Sequence, residues 1–308
     1  MDRIYDVIIL GGGAAGYTAA MYAVRAGHTV LVIEKMSVGG QLATTDIVEN
    51  YPGFPDGIDG FTLGMEMQKG AERFGAQTQY GEVLSVRLSD KIKTVVTDSE
   101  TYKAKTVIAA TGAMPAELGL AMEKELTGKG VHYCAHCDGR FYKDKTVVVV
   151  GGGNSAVSDA LYLSALCKKV YLVHRRDSLR ATKIYHEPLL KAENVEILWN
   201  STVSGFLQDG RLTGVKIKDL KSEKEYALSL DGVFVSIGRK PETALFEGQL
   251  LLDEKGYIVA DESTKTNLEG VFAAGDVRTK PLRQIITAAS DGAVAASMAE
   301  DYLWKADV

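Results

Sequence analysis

One pattern, present twice, constrains this chain more than anything else in it. Residues 6–10 (DVIIL) are an uninterrupted apolar run, and Gly11-Gly12-Gly13-Ala14-Ala15-Gly16 follows with no spacer. An alanine-rich helical stretch then reaches about Ala26. Gly27 stands where a helix end wants a left-handed residue, and a second apolar run, 29–33, ends on Glu34. The same succession returns at 146–150 (TVVVV), Gly151-Gly152-Gly153-Asn154-Ser155-Ala156, a helical stretch to about Leu166, and 169–173 (KVYLV). Apolar runs that do not alternate belong to strands buried on both faces, hence to parallel strands covered by helices. Two copies of strand, glycine-rich turn, helix and strand predict an α/β chain with two Rossmann-like, three-layer dinucleotide-binding domains.

Within each turn the residues divide the work. Gly11 and Gly151 allow the tight bend, and Gly13 and Gly153 bring backbone up to a pyrophosphate. Gly16 lets helix pack on strand, a role alanine also fills at Ala156. The N–H groups at the helix starts, at Ala14 and Ala15 and at Asn154 and Ser155, face the phosphates with the positive end of the helix dipole. The copies differ at the end of the second strand. Glu34 lies 23 residues past Gly11 and is placed to accept hydrogen bonds from a ribose with free hydroxyls, which suits FAD or NAD. The second copy has His174-Arg175-Arg176 there, with Arg180 four residues on. An acid would repel a 2′-phosphate, whereas guanidinium groups bind one in bidentate fashion. The second site is therefore expected to take NADPH, in preference to being a merely solvated basic patch.

Between the two copies lies VHYCAHCDGRFYKDK, with Cys134 and Cys137, two of the three cysteines in the chain. Two intervening residues let both sulfurs meet with little backbone movement, and such a motif can carry a lowered thiol pKa. Asp138 follows at once, and a carboxyl there can shuttle the proton that accompanies thiol–thiolate interchange. Half of a zinc site is the competing reading. Structural zinc wants four ligands, and Cys167 stands alone. A flavin or nucleotide sensor using the two folds only to bind has no need of the CxxC-D stretch. The net charge of −5 leaves no electrostatic footprint for nucleic acid. Three cysteines fit a reducing compartment. No apolar run reaches the ~18 residues of a membrane span, and MDRIYDVIILGGG does not read as a signal peptide. The expected setting is cytoplasmic, with no membrane partner.

The remaining stretches give a coarse frame. Residues 37–50 read as a glycine-rich loop, 61–75 as a helix, and 80–97 as a β-meander. Residues 106–112 (TVIAATG) close the first nucleotide unit. A second meander is expected over 195–218, with Asp209-Gly210 as a hairpin turn, before 232–238 (GVFVSIG) close the second unit. Residues 270–276 (GVFAAGD) read as one more strand, and 284–303 as a packed helix rich in small residues.

Taken together the motifs closely resemble the low-molecular-weight thioredoxin reductases: GGGAAG at 11–16, GGQL at 39–42, ENYPGFP at 49–55, ATGA at 110–113, CAHCDG at 134–139, GGGNSA at 151–156, HRRDSLR at 174–180 and VFAAGDV at 271–277. The resemblance implies an NADPH domain, 117–240, inserted into a discontinuous FAD domain, 1–116 and 241–308, with rotation of one domain against the other. It implies that Gly39, Gly40, Gln41 and Leu42, then Asn50, then Thr111, Gly112 and Ala113 line FAD. Gly275 and Asp276 join them, with Arg283, Gln284 and Ile285, and Lys35 and Val83 complete that set. Ile237 and Gly238 fall on the NADPH side. Cys137 would be the sulfur near the flavin C4a, Asp138 the acid, and the enzyme a homodimer. The implied reaction carries hydride from NADPH to FAD, then electrons through Cys134–Cys137 to oxidised thioredoxin. The alternative is a related flavin disulfide reductase serving a peroxide-reducing system, a glutaredoxin-like protein or a small-molecule dithiol. Two positions depart from the family. His136 stands where threonine is usual, and Ser158-Asp159 where two glutamates are frequent.

Overall fold

Strands with apolar side chains on both faces need cover on both, and this requirement organises the computed structural model, which describes residues 3–35, 38–45 and 47–306. The chain divides into two compact units. One ends its first segment at Met114 and resumes at Lys240, and the other is Pro115–Arg239.

In the first unit Ile4–Leu10 is the hub of a seven-stranded sheet, paired in parallel with Val30–Glu34 on one side and Thr101–Ala109 on the other. Gln77–Tyr80 adds a parallel strand beyond Val30–Glu34. Val83–Arg87 and Lys93–Thr97 form the meander, joined antiparallel to Thr101–Ala109, which also carries Val271–Ala273. The helix Ala14–Arg25 ends as expected, with Gly27 at φ 93° just beyond its cap. It packs against the last helix, Ile285–Ala306, through small residues. A Cβ on Gly292 would lie 2.2 Å from the Ala15 carbonyl oxygen, so glycine is required for this close approach. Ala19, Ala295 and Ala299 are fully buried there.

The second unit is built on a five-stranded parallel sheet in the order Val131–His132, Gly232–Val235, Thr146–Val150, Lys169–Val173, Val195–Leu198. Here the structure corrects the reading of 195–218 as a single meander. Val195–Leu198 pairs in parallel with Lys169–Val173, and the antiparallel sheet comprises Ser201–Gln208, Leu212–Asp219 and Glu225–Ser229. The connection that permits parallel pairing is a 3-10 turn, Lys183–Tyr185, followed by the six-residue helix His186–Lys191. That helix is too short to show a periodicity. The hairpin at Asp209-Gly210 is present, with Gly210 at φ 69°. In the 37–50 stretch a short 3-10 helix spans Gly40–Thr44, while Ser37 and Asp46 lie outside the described residues. No helix among the described residues is long and apolar enough to cross a membrane.

Candidate functional site

The first glycine turn separates what the fold needs from what it does not. A Cβ on Gly11, at φ 107°, would sit 2.4 Å from the Ala110 carbonyl oxygen, and one on Gly16 would sit 1.9 Å from that of Gly11. Gly13 has an ordinary extended backbone, and its Cβ would meet nothing closer than 3.8 Å. The described residues supply no steric reason for glycine at Gly13. A phosphate group pressed against the backbone would. Gly13 caps Ala14–Arg25 with no side-chain hydrogen bond, and the first turn carries no acid, so its N–H groups and dipole suit an anion. Glu34 is buried, and its Oε2 accepts the Gly12 N–H at 2.7 Å, anchoring the turn. Lys35 pairs with Glu82 at 2.7 Å on the surface, next to the half-buried Val83.

Other expected flavin-side residues are gathered by hydrogen bonds inside this unit. The Gly39 N–H donates to Gly12 O at 2.9 Å, which draws Gly40, Gln41 and the buried Leu42 onto the first turn. Asn50 Nδ2 donates to Gln284 Oε1 at 3.0 Å, beside Ile285 at the start of the last helix. Thr111 Oγ1 donates to Glu242 O at 2.6 Å, and the Glu242 N–H to Gly112 O at 3.0 Å, next to the buried Ala113. The Arg283 guanidinium lies 3.9 Å from the Tyr257 ring centroid and donates to the carbonyls of Asp276, Arg278 and Lys280. It is a brace for that loop.

The sequence reading missed Asp291. Its carboxylate accepts from Gly275 N (2.9 Å), Arg278 Nε and Nη2 (2.8 and 2.7 Å) and Lys280 Nζ (2.8 Å). Burial acts to raise its pKa, but the hydrogen bonds and charges of Arg278 and Lys280 outweigh that and hold it below the usual carboxylate range. The available signal was a lone acid on the alanine-lined face of the last helix.

The second glycine turn repeats the contrast. A Cβ on Gly151 would be 2.5 Å from Ser236 O, while one on Gly153 would meet nothing within 4 Å. Gly153 caps Asn154–Ser164 without a side-chain bond, with Ser155 exposed and Ala156 buried. Asn154 Oδ1 accepts Thr182 N at 2.8 Å, and the N–H groups of Arg180 and Ala181 both donate to Gly152 O. Arg180 is thereby held beside the turn, and Arg175 and Arg176 directly follow His174; all three are exposed, and their charges are felt at that histidine. His174 behaves differently from these arginines. It is buried beneath Gly152, whose Cβ would strike its ring at 2.2 Å, and its Nε2 donates to Ser178 O at 3.0 Å. Burial, with the charges of Arg180, Arg176 and Arg175, pushes its pKa down, so at neutral pH it is an uncharged support for the turn. Ile237 is exposed and Gly238 adopts φ 122°.

Asp159 lies in the same helix and accepts from Ser236 Oγ at 2.5 Å. Burial raises its pKa against the opposing Ser236 bond and the charges of His136 and Arg239. A raised acid destabilises the fold once ionised. Its contribution is therefore most favourable below the ordinary carboxylate pKa and is lost as pH rises through the raised value. Asp159→Asn, which keeps an acceptor for Ser236, is expected to melt above the unmodified protein at pH 8. The advantage should vanish toward pH 4 in the same thermal scans.

Cys134 and Cys137 are bonded to each other, their Cα atoms 5.3 Å apart across the turn Ala135–Asp138, and both remain partly accessible. Cys134 O accepts the N–H groups of Cys137 and Asp138, so the turn is closed on its own first carbonyl. Asp138 Oδ2 lies 3.1 Å from Nδ1 of His132, a second residue that the sequence reading missed. The exposed His136 packs its ring 4.2 Å from that of Tyr162. Cys167 is buried in the core, its thiol pushed up to about 11 by burial and by Asp144 and Asp231. Among the described residues no three His, Cys, Asp or Glu side chains are grouped to hold a metal ion. The second unit thus combines a dithiol–disulfide pair, an adjacent carboxyl and a nucleotide turn rimmed by arginines. The first unit holds a nucleotide turn backed by an acid.

Comparison with known proteins agrees with this chemistry. The model of the family described as pyridine nucleotide-disulphide oxidoreductase matches residues 5–292. The thioredoxin reductase of Listeria monocytogenes serovar 1/2a is 48% identical over 98% of this chain and 95% of its own. That of Bacillus subtilis is 45% identical over 98% and 96%. Among solved structures, the thioredoxin reductase of Streptococcus pyogenes superposes with a TM-score of 0.92 at 41% identity, covering 99% of this chain and 100% of that one.

Proposed function

We propose, since the chain belongs to the pyridine nucleotide-disulphide oxidoreductase family and within it to the thioredoxin reductases, that NADPH is its electron donor, FAD its flavin and oxidised thioredoxin its acceptor. The enzyme is a flavin- and pyridine nucleotide-dependent disulfide reductase of the α/β, doubly Rossmann-like class. The observation that carries the finer reading is the Cys134–Cys137 disulfide beside Asp138, in the same unit as a nucleotide turn ringed by Arg175, Arg176 and Arg180.

The residues divide as follows. Gly13 and the start of Ala14–Arg25 would receive the FAD pyrophosphate, and Glu34, which holds Gly12 in place, would accept from the ribose hydroxyls. Bound there, FAD supplies the two-electron exchange between nicotinamide and disulfide. Gly153 and the start of Asn154–Ser164 receive the NADPH pyrophosphate, and the exposed guanidinium groups clamp the 2′-phosphate. Asp138 gives and takes the proton as the sulfurs alternate between thiol and thiolate. The same reading makes the protein a cytosolic homodimer.

The test is anaerobic NADPH oxidation by the flavin-loaded enzyme, with and without thioredoxin from the same organism, while the flavin absorption is followed. Rapid NADPH loss only with oxidised thioredoxin is expected. A bleached flavin without turnover would move the acceptor to another disulfide, and a flavin that stays oxidised would overturn the donor. Removing two guanidinium groups, Arg175→Ala with Arg176→Ala, should raise KM for NADPH about 100-fold or more. Each hydrogen bond to a charged group is worth about 1.5–3 kcal/mol. KM for NADH should hardly move, and an equal loss for both nucleotides rules out a 2′-phosphate clamp.

A further inference from the structure

His132 is buried, yet both its ring nitrogens are engaged. Nδ1 lies 3.1 Å from Asp138 Oδ2, and Nε2 lies 2.7 Å from the Tyr142 hydroxyl. Phe234 stacks on the imidazole at 5.3 Å, and Tyr142 meets both rings edge-on. The imidazole therefore cannot turn away from Asp138 without breaking two polar contacts and a ring stack. Burial pushes the Tyr142 phenol up to about 12, with Arg211 acting downward and Asp138 and Asp231 upward, so it stays protonated at neutral pH. The Tyr142 hydroxyl can both donate and accept: it donates to Nε2 of a neutral imidazole and accepts from the Nε2–H of an imidazolium, so Nδ1 keeps facing the Asp138 carboxylate in either state. Among the described residues, Arg211 and Asp231 act on Tyr142 together with Asp138, and the Lys145 ammonium lies 5.4 Å from the Tyr142 ring centroid.

We propose that His132 is a positioning residue for the dithiol step: with Asp138 it holds the proton used in thiol exchange as an imidazolium–carboxylate pair, and Tyr142, accepting from Nε2–H, keeps Nδ1 aimed at the carboxylate. The proposal rests on Asp138 being the acid of that step. In the exchange, an enzyme thiolate attacks one sulfur of the substrate disulfide. The mixed disulfide forms, the substrate S–S bond breaks, and the departing sulfur leaves with the electron pair and takes a proton from Asp138. The second enzyme thiol then gives its proton back to Asp138 and attacks the enzyme sulfur of the mixed disulfide. The Cys134–Cys137 bond re-forms, and the other substrate sulfur leaves as thiolate. Two electrons pass to the substrate, and the proton supplied by the pair returns to it. An ordinary carboxyl is ionised at neutral pH, so alone it is a poor donor there. An imidazole partner can hold a proton beside it, as imidazolium against carboxylate.

The experiment compares His132→Asn, Tyr142→Phe and Asp138→Asn as flavin-loaded enzymes, measuring kcat/KM for thioredoxin from pH 5.5 to 9.5. Flavin reduction by NADPH in a stopped flow serves as the control for folding and nucleotide binding. Asparagine at His132 can still donate to Asp138 but does not titrate. Its alkaline limb should move to lower pH, so that at pH 8.5 its rate falls about tenfold relative to the unmodified enzyme while the rate at pH 5.5 changes little. Tyr142→Phe should shift the limb the same way by less. A His132→Asn profile superimposable on that of the unmodified enzyme would overturn the proposal and leave His132 as packing. Asp138→Asn should lower the rate throughout the range. If it does not, the assignment of Asp138 fails, an outcome separable from the first because it appears in a different variant.

Discussion

Replacing Cys134 by serine is expected to take NADPH-dependent thioredoxin reduction to the assay background while the protein stays yellow. A hydroxyl cannot form or break the bond through which two electrons leave the enzyme. The substitution should spare the fold. Cys134 opens the turn Ala135–Asp138 in an extended conformation, and its structural contribution is a backbone carbonyl that accepts Cys137 N and Asp138 N. Serine keeps that carbonyl and is a preferred helix N-cap residue. The residues proposed to hold FAD all lie before Met114 or after Lys240, outside the unit that carries the cysteines. Cys167 cannot replace the lost sulfur, because a buried thiol raised to about 11 offers almost no thiolate at neutral pH. Cys137→Ser should be equally inactive. The two variants differ in which one traps thioredoxin as a stable mixed disulfide on non-reducing gels, and this identifies the attacking sulfur. Turnover surviving in both would remove the pair from the electron path.

The contrast between what was readable and what was not follows from how local each signal is. The strands at 6–10 and 146–150 and the glycine turns after them are local: a buried parallel strand must be apolar throughout, and a tight turn beneath a helix needs glycine at Gly11, Gly16 and Gly151 whatever lies elsewhere. Gly13 and Gly153 fit the same pattern, and the structure adds that nothing among the described residues requires glycine there. The reading faltered where meaning depends on a partner far along the chain. Val195–Leu198 looks like the start of a meander until Lys169–Val173 takes it as a parallel neighbour. His174 sits beside two arginines in sequence, and only the backbone path that brings Gly152 over its ring separates it from them. His132 meets Asp138 and Tyr142 only because the turn Ala135–Asp138 and the 3-10 helix Gly139–Tyr142 fold the chain back on it, which no spacing in the sequence announces. The partners of Asp291, Arg278 and Lys280, precede the helix that carries it, so its helical pattern does not show them.

Asp291→Asn is the substitution expected to destabilise the first unit most. The native site places one carboxylate against two cations, Arg278 at 2% and Lys280 at 4% side-chain exposure. Glu262 also approaches Arg278, at 3.7 Å, but from an exposed position where water screens it. Asparagine preserves the shape, removes the charge and leaves two nearly dry cations uncompensated. Breaking one side of a buried ion pair costs about 3–5 kcal/mol, which corresponds to a melting point lower by roughly 10 °C at about 2–4 °C per kcal/mol. The Gly275 N–H shares the same carboxylate, so the Gly275–Asp276 corner should loosen and the flavin should wash out more readily in gel filtration. The pH dependence gives the sign. Asp291 is depressed below the usual carboxylate range, so its stabilisation is present above the ordinary pKa near 4 and is lost as pH falls through the lower folded value. The unmodified protein should therefore lose stability steeply below about pH 4, while Asp291→Asn, already without that charge, should show a shallower acid limb. Adding Lys280→Met to the asparagine variant removes one stranded cation and should recover part of the lost melting temperature. If the double variant melts no higher than Asp291→Asn alone, the cost lies in the lost Gly275 contact and not in the uncompensated charge.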